Sequence, residues 1–118
     1  MNTWLQIESS LPDHRKTINF ASMLKVNRVQ AVGMLVCIWL WALNNRIDGR
    51  LKLSDAALMA RQCDYKGKPD KLFQTMVMAG LLDDLDNGEY EIHDWYERTQ
   101  YLIDLQEIKR EQSKMRMR

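Results

Sequence analysis

A mainly α-helical domain with a small β wing is predicted, on three observations. Ala31 to Leu43 is an apolar run broken only by Gly33. It is too short for the roughly 20 residues a membrane helix needs, and is apolar almost all the way round, as the central helix of a small domain would be. Asp86-Asn87-Gly88 stands between two strand-like runs, Leu81 to Leu85 and Glu89 to His93. Asn-Gly in that setting is a strong hairpin signal, because both residues tolerate positive φ. Directly before the hairpin, Pro69 and Gly80 bracket a helical stretch, proline in its first turn and glycine as a left-handed end.

The elements follow in order. Thr3 to Ile7 alternates polar and apolar residues and predicts a short strand, ended by Ser9 to Pro12. After Asp13 comes a helix with Ile18, Ala21, Met23 and Leu24 facing inward. His14, Arg15 and Lys16 place cations in its first turn, against the helix dipole, so it depends on tertiary packing. Asn27 caps the central helix, with Gln30 three residues on and Val26 stapled to Ala31. That helix stops at Asn44 or Asn45, and Asp48-Gly49 turns the chain.

Leu51 to Leu53 predicts a one-rung strand. Ser54 then caps a helix to about Cys63, with Leu53 and Leu58 as its staple. Asp64 to Lys68 connects to the Pro69 helix, which buries Leu72, Phe73, Met76 and Val77 and turns Lys71, Gln74, Thr75 and Met78 outward. Beyond the hairpin, Asp94 and Glu97 form a capping box for a last helix striped by Tyr101, Leu105 and Ile108, with Leu102 beside them. From Lys109 the apolar residues thin to Met115 and Met117, and fraying is expected.

From Asn27 the order is helix, tiny strand, helix, connector, helix, hairpin. This is the winged helix-turn-helix order, with an N-terminal strand and helix and a C-terminal helix added. Residues 1–97 form the winged-helix domain with its N-terminal extension. Residues 98–118 continue the last helix into a basic end.

A chain of 118 residues supports one domain with a real core. Seventeen Lys and Arg against sixteen Asp and Glu leave a formal charge of +1, so any nucleic-acid binding must come from a local basic face. Cys37 and Cys63 lie in apolar or helical surroundings without close spacing, which predicts two buried thiols in a reducing cytoplasm. MNTWLQIESS lacks the basic start and apolar centre of a signal peptide.

Several segments carry a family resemblance. Trp4-Leu5-Gln6-Ile7-Glu8-Ser9, with Asp13-His14 and Lys16-Thr17, resembles the start of phage and prophage replication proteins. Arg28-Val29-Gln30-Ala31-Val32-Gly33 and Trp39-Leu40-Trp41-Ala42-Leu43 resemble their central helix. Val77-Met78-Ala79-Gly80-Leu81-Leu82-Asp83 and His93-Asp94-Trp95 resemble the helix-to-wing junction and the exit from the wing. The family is the replisome organisers, or replication-initiation proteins, whose N-terminal domain is similar to that of DnaD-type primosomal proteins. The likeness covers about residues 3 to 97 and rests mostly on structural positions. Arg15 departs from it where proline is frequent, and Lys68 where a capping Asp is common. The resemblance implies a part in starting DNA replication, DNA binding, self-association, and replication partners such as a helicase or its loader.

For DNA, the candidate residues are Lys66, Lys68 and Lys71 on phosphates and Gln74 and Thr75 on base edges. Lys109, Arg110 and Lys114 form a second, sequence-independent basic patch. An ordinary solvated helix face is the competing interpretation of both. The wing, with Asp83, Asp84, Asp86 and Glu89, is predicted to avoid phosphate. Trp4, Leu5 and Ile7 form a candidate oligomer contact, where a strand edge offers main-chain pairing to a second copy. Trp39 and Trp41 belong to the core. His14, His93, Cys37 and Cys63 share no ligand spacing, and no phosphate-cradling loop or nucleophile motif appears. The expectation is a binding protein with no catalytic site, metal or cofactor, located in the cytoplasm. Alternatives are an oligomerisation or protein-interaction scaffold with little DNA contact, and a winged-helix transcriptional regulator.

Overall fold

The computed structural model describes residues 4–116, excepting the side chains of 101, 103, 105–107 and 113–116. Its elements are α1 (Arg15–Leu24), α2 (Arg28–Asn45), β1 (Arg50–Leu51), α3 (Ala56–Gln62), α4 (Pro69–Met78), β2 (Leu82–Asp84), β3 (Tyr90–Ile92) and α5 (Trp95–Arg116). The strands form one antiparallel sheet in the order β1-β3-β2, with Leu51 opposite Tyr90 and Leu82 opposite Ile92. The chain is therefore mainly helical with a small three-stranded sheet.

The central helix begins as its sequence dictates: Asn27 Oδ1 accepts the Gln30 N–H at 2.7 Å. Its far end is closed by Asn44 and Asn45, whose amides each donate 2.9 Å bonds back to the Leu40 and Trp41 carbonyls. It buries Ala31, Met34, Leu35, Ile38, Trp39, Ala42 and Leu43. Burial is not all-round, however. Val29 is 75% exposed and Leu40 41%, and Cys37 is exposed where a buried thiol was expected. Gly33, Cys37 and Leu40 share one helix face at spacings of four and three residues, and that face is turned from the core. Trp39 is core; Trp41 is only half-buried.

The predicted N-terminal strand does not form among the described residues; Thr3 lies outside them. Residues 4–8 run without a ladder, and the Gln6 N–H donates to the Arg98 carbonyl at 3.1 Å. The segment finds its main-chain partner on the first turns of α5 instead of a strand. A 3-10 turn (Leu11–Asp13) leads into α1, capped by His14, whose Nδ1 accepts the Lys16 N–H at 3.1 Å. Thr17, Phe20, Ala21 and Leu24 make its buried face, while Ile18 and Met23 are turned out.

Leu53–Asp55 is a 3-10 turn, so α3 starts later than expected and Ser54 is not its cap. Asp55 stands at the N-cap position without a side-chain capping bond; its carboxylate turns back, accepting from the Lys52 N–H at 3.0 Å and from Arg46 at 2.8 Å. Leu53 and Leu58, the expected staple, are both 42% exposed. At the end of α4, Gly80 takes φ 82. The Leu81 N–H reaches the Met76 carbonyl at 2.8 Å and the Gly80 N–H reaches Val77 at 3.1 Å, the paired bonds of a Schellman ending.

The hairpin forms where predicted, with a different turn. Asp86 and Gly88 are its left-handed residues, at φ 64 and 83. Asn87 contributes its side chain, which accepts the Glu89 N–H at 3.0 Å. Asp94 directly precedes α5 and its carbonyl accepts the Arg98 N–H at 3.2 Å, as an N-cap carbonyl does, but among the described residues its side chain makes no capping bond. Asp94 has φ 58, and its carboxylate faces His93 Nε2 at 3.4 Å. Trp95, Arg98, Thr99 and Leu102 anchor α5, whereas Ile108 is 51% exposed because the helix has left the body by that point. Tyr101 and Leu105, the rest of the expected stripe, have side chains outside the described residues. Among the described residues no single helix is long and apolar enough to cross a membrane.

Candidate nucleic-acid interface

The amphipathic α4 sinks Leu72, Phe73 and Met76 into the core, and Phe73 meets Tyr90 of β3 edge-on at 4.9 Å between ring centres. This contact fixes the helix against the sheet and leaves its other side open. Lys68 precedes Pro69 in extended conformation, at φ −69 and ψ 128. Lys66, Lys68, Lys71 and Gln74 are all exposed. None of the three lysines forms an ion pair among the described residues. Their ammonium groups are available to phosphate oxygens, and Asp64 and Asp70 are exposed among them.

Thr75 does not belong to this surface. It is 5% exposed, and its Oγ1 donates to the Lys71 carbonyl at 2.6 Å. That local bond satisfies the hydroxyl and lets the side chain turn inward beside Leu72 and Met76. Met78 is 73% exposed, on the outward side as expected. Arg61, exposed in the last turn of α3, adds a cation at the other end of the connector. The sequence reading overlooked it because it lies outside the expected reading helix.

The hairpin beside α4 carries Asp83, Asp84 and Asp86 on its exposed surface. Three of its acids have partners. Asp83 lies 3.0 Å from His93 Nδ1, and Glu89 lies 3.6 Å from Arg50 of β1. Asp84 accepts the Asp86 N–H at 2.8 Å within the turn. Even so, phosphate approaching this edge meets carboxylates.

Lys109 and Arg110 are exposed on α5, two turns beyond Leu102, so they constitute a patch of their own. Lys114 lies in α5 with its side chain outside the described residues. At the N-terminus Trp4 and Ile7 are each 45% exposed, while Leu5 packs partly against the core. Among the described residues no three His, Cys, Asp or Glu side chains gather as a metal would require.

Comparison with family models, with curated proteins and with solved structures found no match.

Proposed function

We propose that this chain is a winged-helix, DNA-binding and self-associating module of a phage-type replication-initiation protein, working in the cytoplasm without catalysis. One observation carries the DNA-binding reading. Three helices are followed by a hairpin, the strand between the first two helices pairs with the second hairpin strand, and the helix before the hairpin presents Lys68, Lys71 and Gln74 to solvent. In a winged helix that position is the one laid into the major groove. The replication role rests on the resemblance of the sequence segments, which also suggests a helicase or its loader as partner.

The test is a salt-dependent titration with duplex DNA and simultaneous mass determination. Lys68→Glu combined with Lys71→Glu is expected to weaken binding and flatten the salt dependence. Unchanged binding would remove this surface from consideration.

A second reading is a protein-interaction scaffold, favoured by the acidic hairpin edge at Asp83, Asp84 and Asp86. It predicts a basic protein partner and no measurable DNA affinity in the same titration.

A further inference from the structure

A recess of about 90 Å³ lies between the N-terminal segment, the start of α1, α2 and the root of α5. Thr17, Trp39 and Arg98 line it, at 0%, 1% and 7% exposure. Each of these three residues holds a buried polar atom with no hydrogen-bond partner: Thr17 Oγ1, Trp39 Nε1 and Arg98 Nε. They are the whole set of such atoms among the described residues, and all three residues border one recess. Buried polar atoms are nearly always paired, so three orphans around one space mark a place where a partner belongs.

The chemistry of the three atoms selects the partner. An indole N–H and a guanidinium Nε–H only donate, and a threonine hydroxyl donates as readily as it accepts. What enters must therefore bring acceptors. The rim carries both signs, Glu8 and Asp94 against Lys16 and Arg98. His93, which faces Asp94, is shared with Asp83 at 3.0 Å, so it is the three donors and Lys16 that favour an anion. Glu8 is held by both terminal nitrogens of Arg98, at 2.9 and 3.1 Å, and Asp94 faces His93 Nε2 at 3.4 Å. Lys16, also on the rim, has no ion pair among the described residues. Lys16 and Thr17 stand in the first turn of the ten-residue α1, where the helix dipole favours negative charge.

We propose that this recess binds a small oxyanion, a carboxylate or a phosphoryl group, through Thr17, Trp39 and Arg98 with Lys16 at its mouth. The bound group would join the N-terminal segment and α1 to α2 and α5, adding stability in proportion to its occupancy. Water is the competing occupant, since a recess of this size and polarity also suits it.

The experiment follows the Trp39 indole N–H and Arg98 Nε–H resonances of the ¹⁵N-labelled chain. Sodium phosphate or sodium acetate is titrated at fixed pH, with sodium chloride holding ionic strength constant. A Trp39→Phe variant assigns the indole signal. Both resonances are expected to move saturably, and the anion with the lower half-saturation point identifies the source as phosphoryl or carboxylate. Lys16→Met, at the rim, is expected to raise that point about tenfold, the range of one charge-assisted hydrogen bond. Thr17→Val, which keeps the shape and removes the hydroxyl, is expected to do the same. Resonances that stay in place in both anions would mean water alone occupies the recess and would overturn the proposal. So would an unchanged half-saturation point in Lys16→Met, which answers the question even if Thr17→Val fails to fold.

Discussion

The Trp95 indole donates through Nε1 to the Ile47 carbonyl at 2.8 Å, and the same ring covers Gly49 so closely that a Cβ there would overlap it. The root of α5 is thus keyed into the turn between α2 and β1. Gly49 is also left-handed, at φ 71.

Gly49→Ala should therefore cost about 3 kcal/mol, combining overpacking against the indole with the left-handed penalty. Gly88 supplies the control. Its φ of 83 is similar, but a Cβ there meets nothing within 4 Å. Gly88→Ala should lose only the conformational part, about 1 kcal/mol. Urea unfolding of the two variants measures the difference, and equal losses would refute the role assigned to Trp95.

Glu8 yields a pH-dependent prediction. Partial burial disfavours its charge, but the Arg98 hydrogen bonds and attraction outweigh this together with smaller contributions, and its carboxyl is held below the ordinary 4.5. A lowered folded value gives stability that is complete above the ordinary value and disappears as the pH falls through the folded one. Glu8→Gln should cost about 1 kcal/mol at neutral pH, after discounting for the solvent-exposed side of the pair. The gap in Tm between wild type and variant should close in acid. A gap that is constant with pH would contradict the assignment.

The two thiols should separate in reactivity. Cys37 is exposed, whereas burial raises the Cys63 thiol above its ordinary 9.0. Alkylation at mildly alkaline pH should modify Cys37 first, with Cys63 slower by about tenfold or more. Peptide mass mapping over time reads this directly, and faster labelling of Cys63 would be inconsistent with its burial.

Neighbours on α4 should behave differently toward DNA. On the proposed DNA-binding reading, Gln74→Ala should relax base preference, because its amide is exposed and would reach base edges if α4 entered the major groove. Thr75→Val should leave DNA binding unchanged, since its hydroxyl is spent on the Lys71 carbonyl. Binding to a panel of duplexes distinguishes the two, and a binding defect in Thr75→Val would return that residue to the interface.

What could be read from sequence was governed by distance along the chain. The Asn27 cap, the Pro69 to Gly80 helix and the hairpin are local devices, and each appears where its residues placed it. Thr75 was misplaced because helical spacing alone puts it at the margin of the α4 buried face, and its own hydrogen bond decides the side. The N-terminal strand failed for another reason: alternation predicts an extended segment but not its partner, and here the partner is α5. The recess at Thr17, Trp39 and Arg98 was illegible, since its walls come from three helices that meet only after folding.

The Glu8–Arg98 pair has a kinetic meaning as well. It closes a loop of 90 residues, and such a contact recovers its entropy only after the intervening chain has condensed. The N-terminal segment should therefore dock after the rate-limiting step and be among the first parts to release. Loosening this pair would then speed unfolding while leaving the folding rate as it was. The lifetime of the native state is in this way partly controlled by a segment that contributes little to forming it.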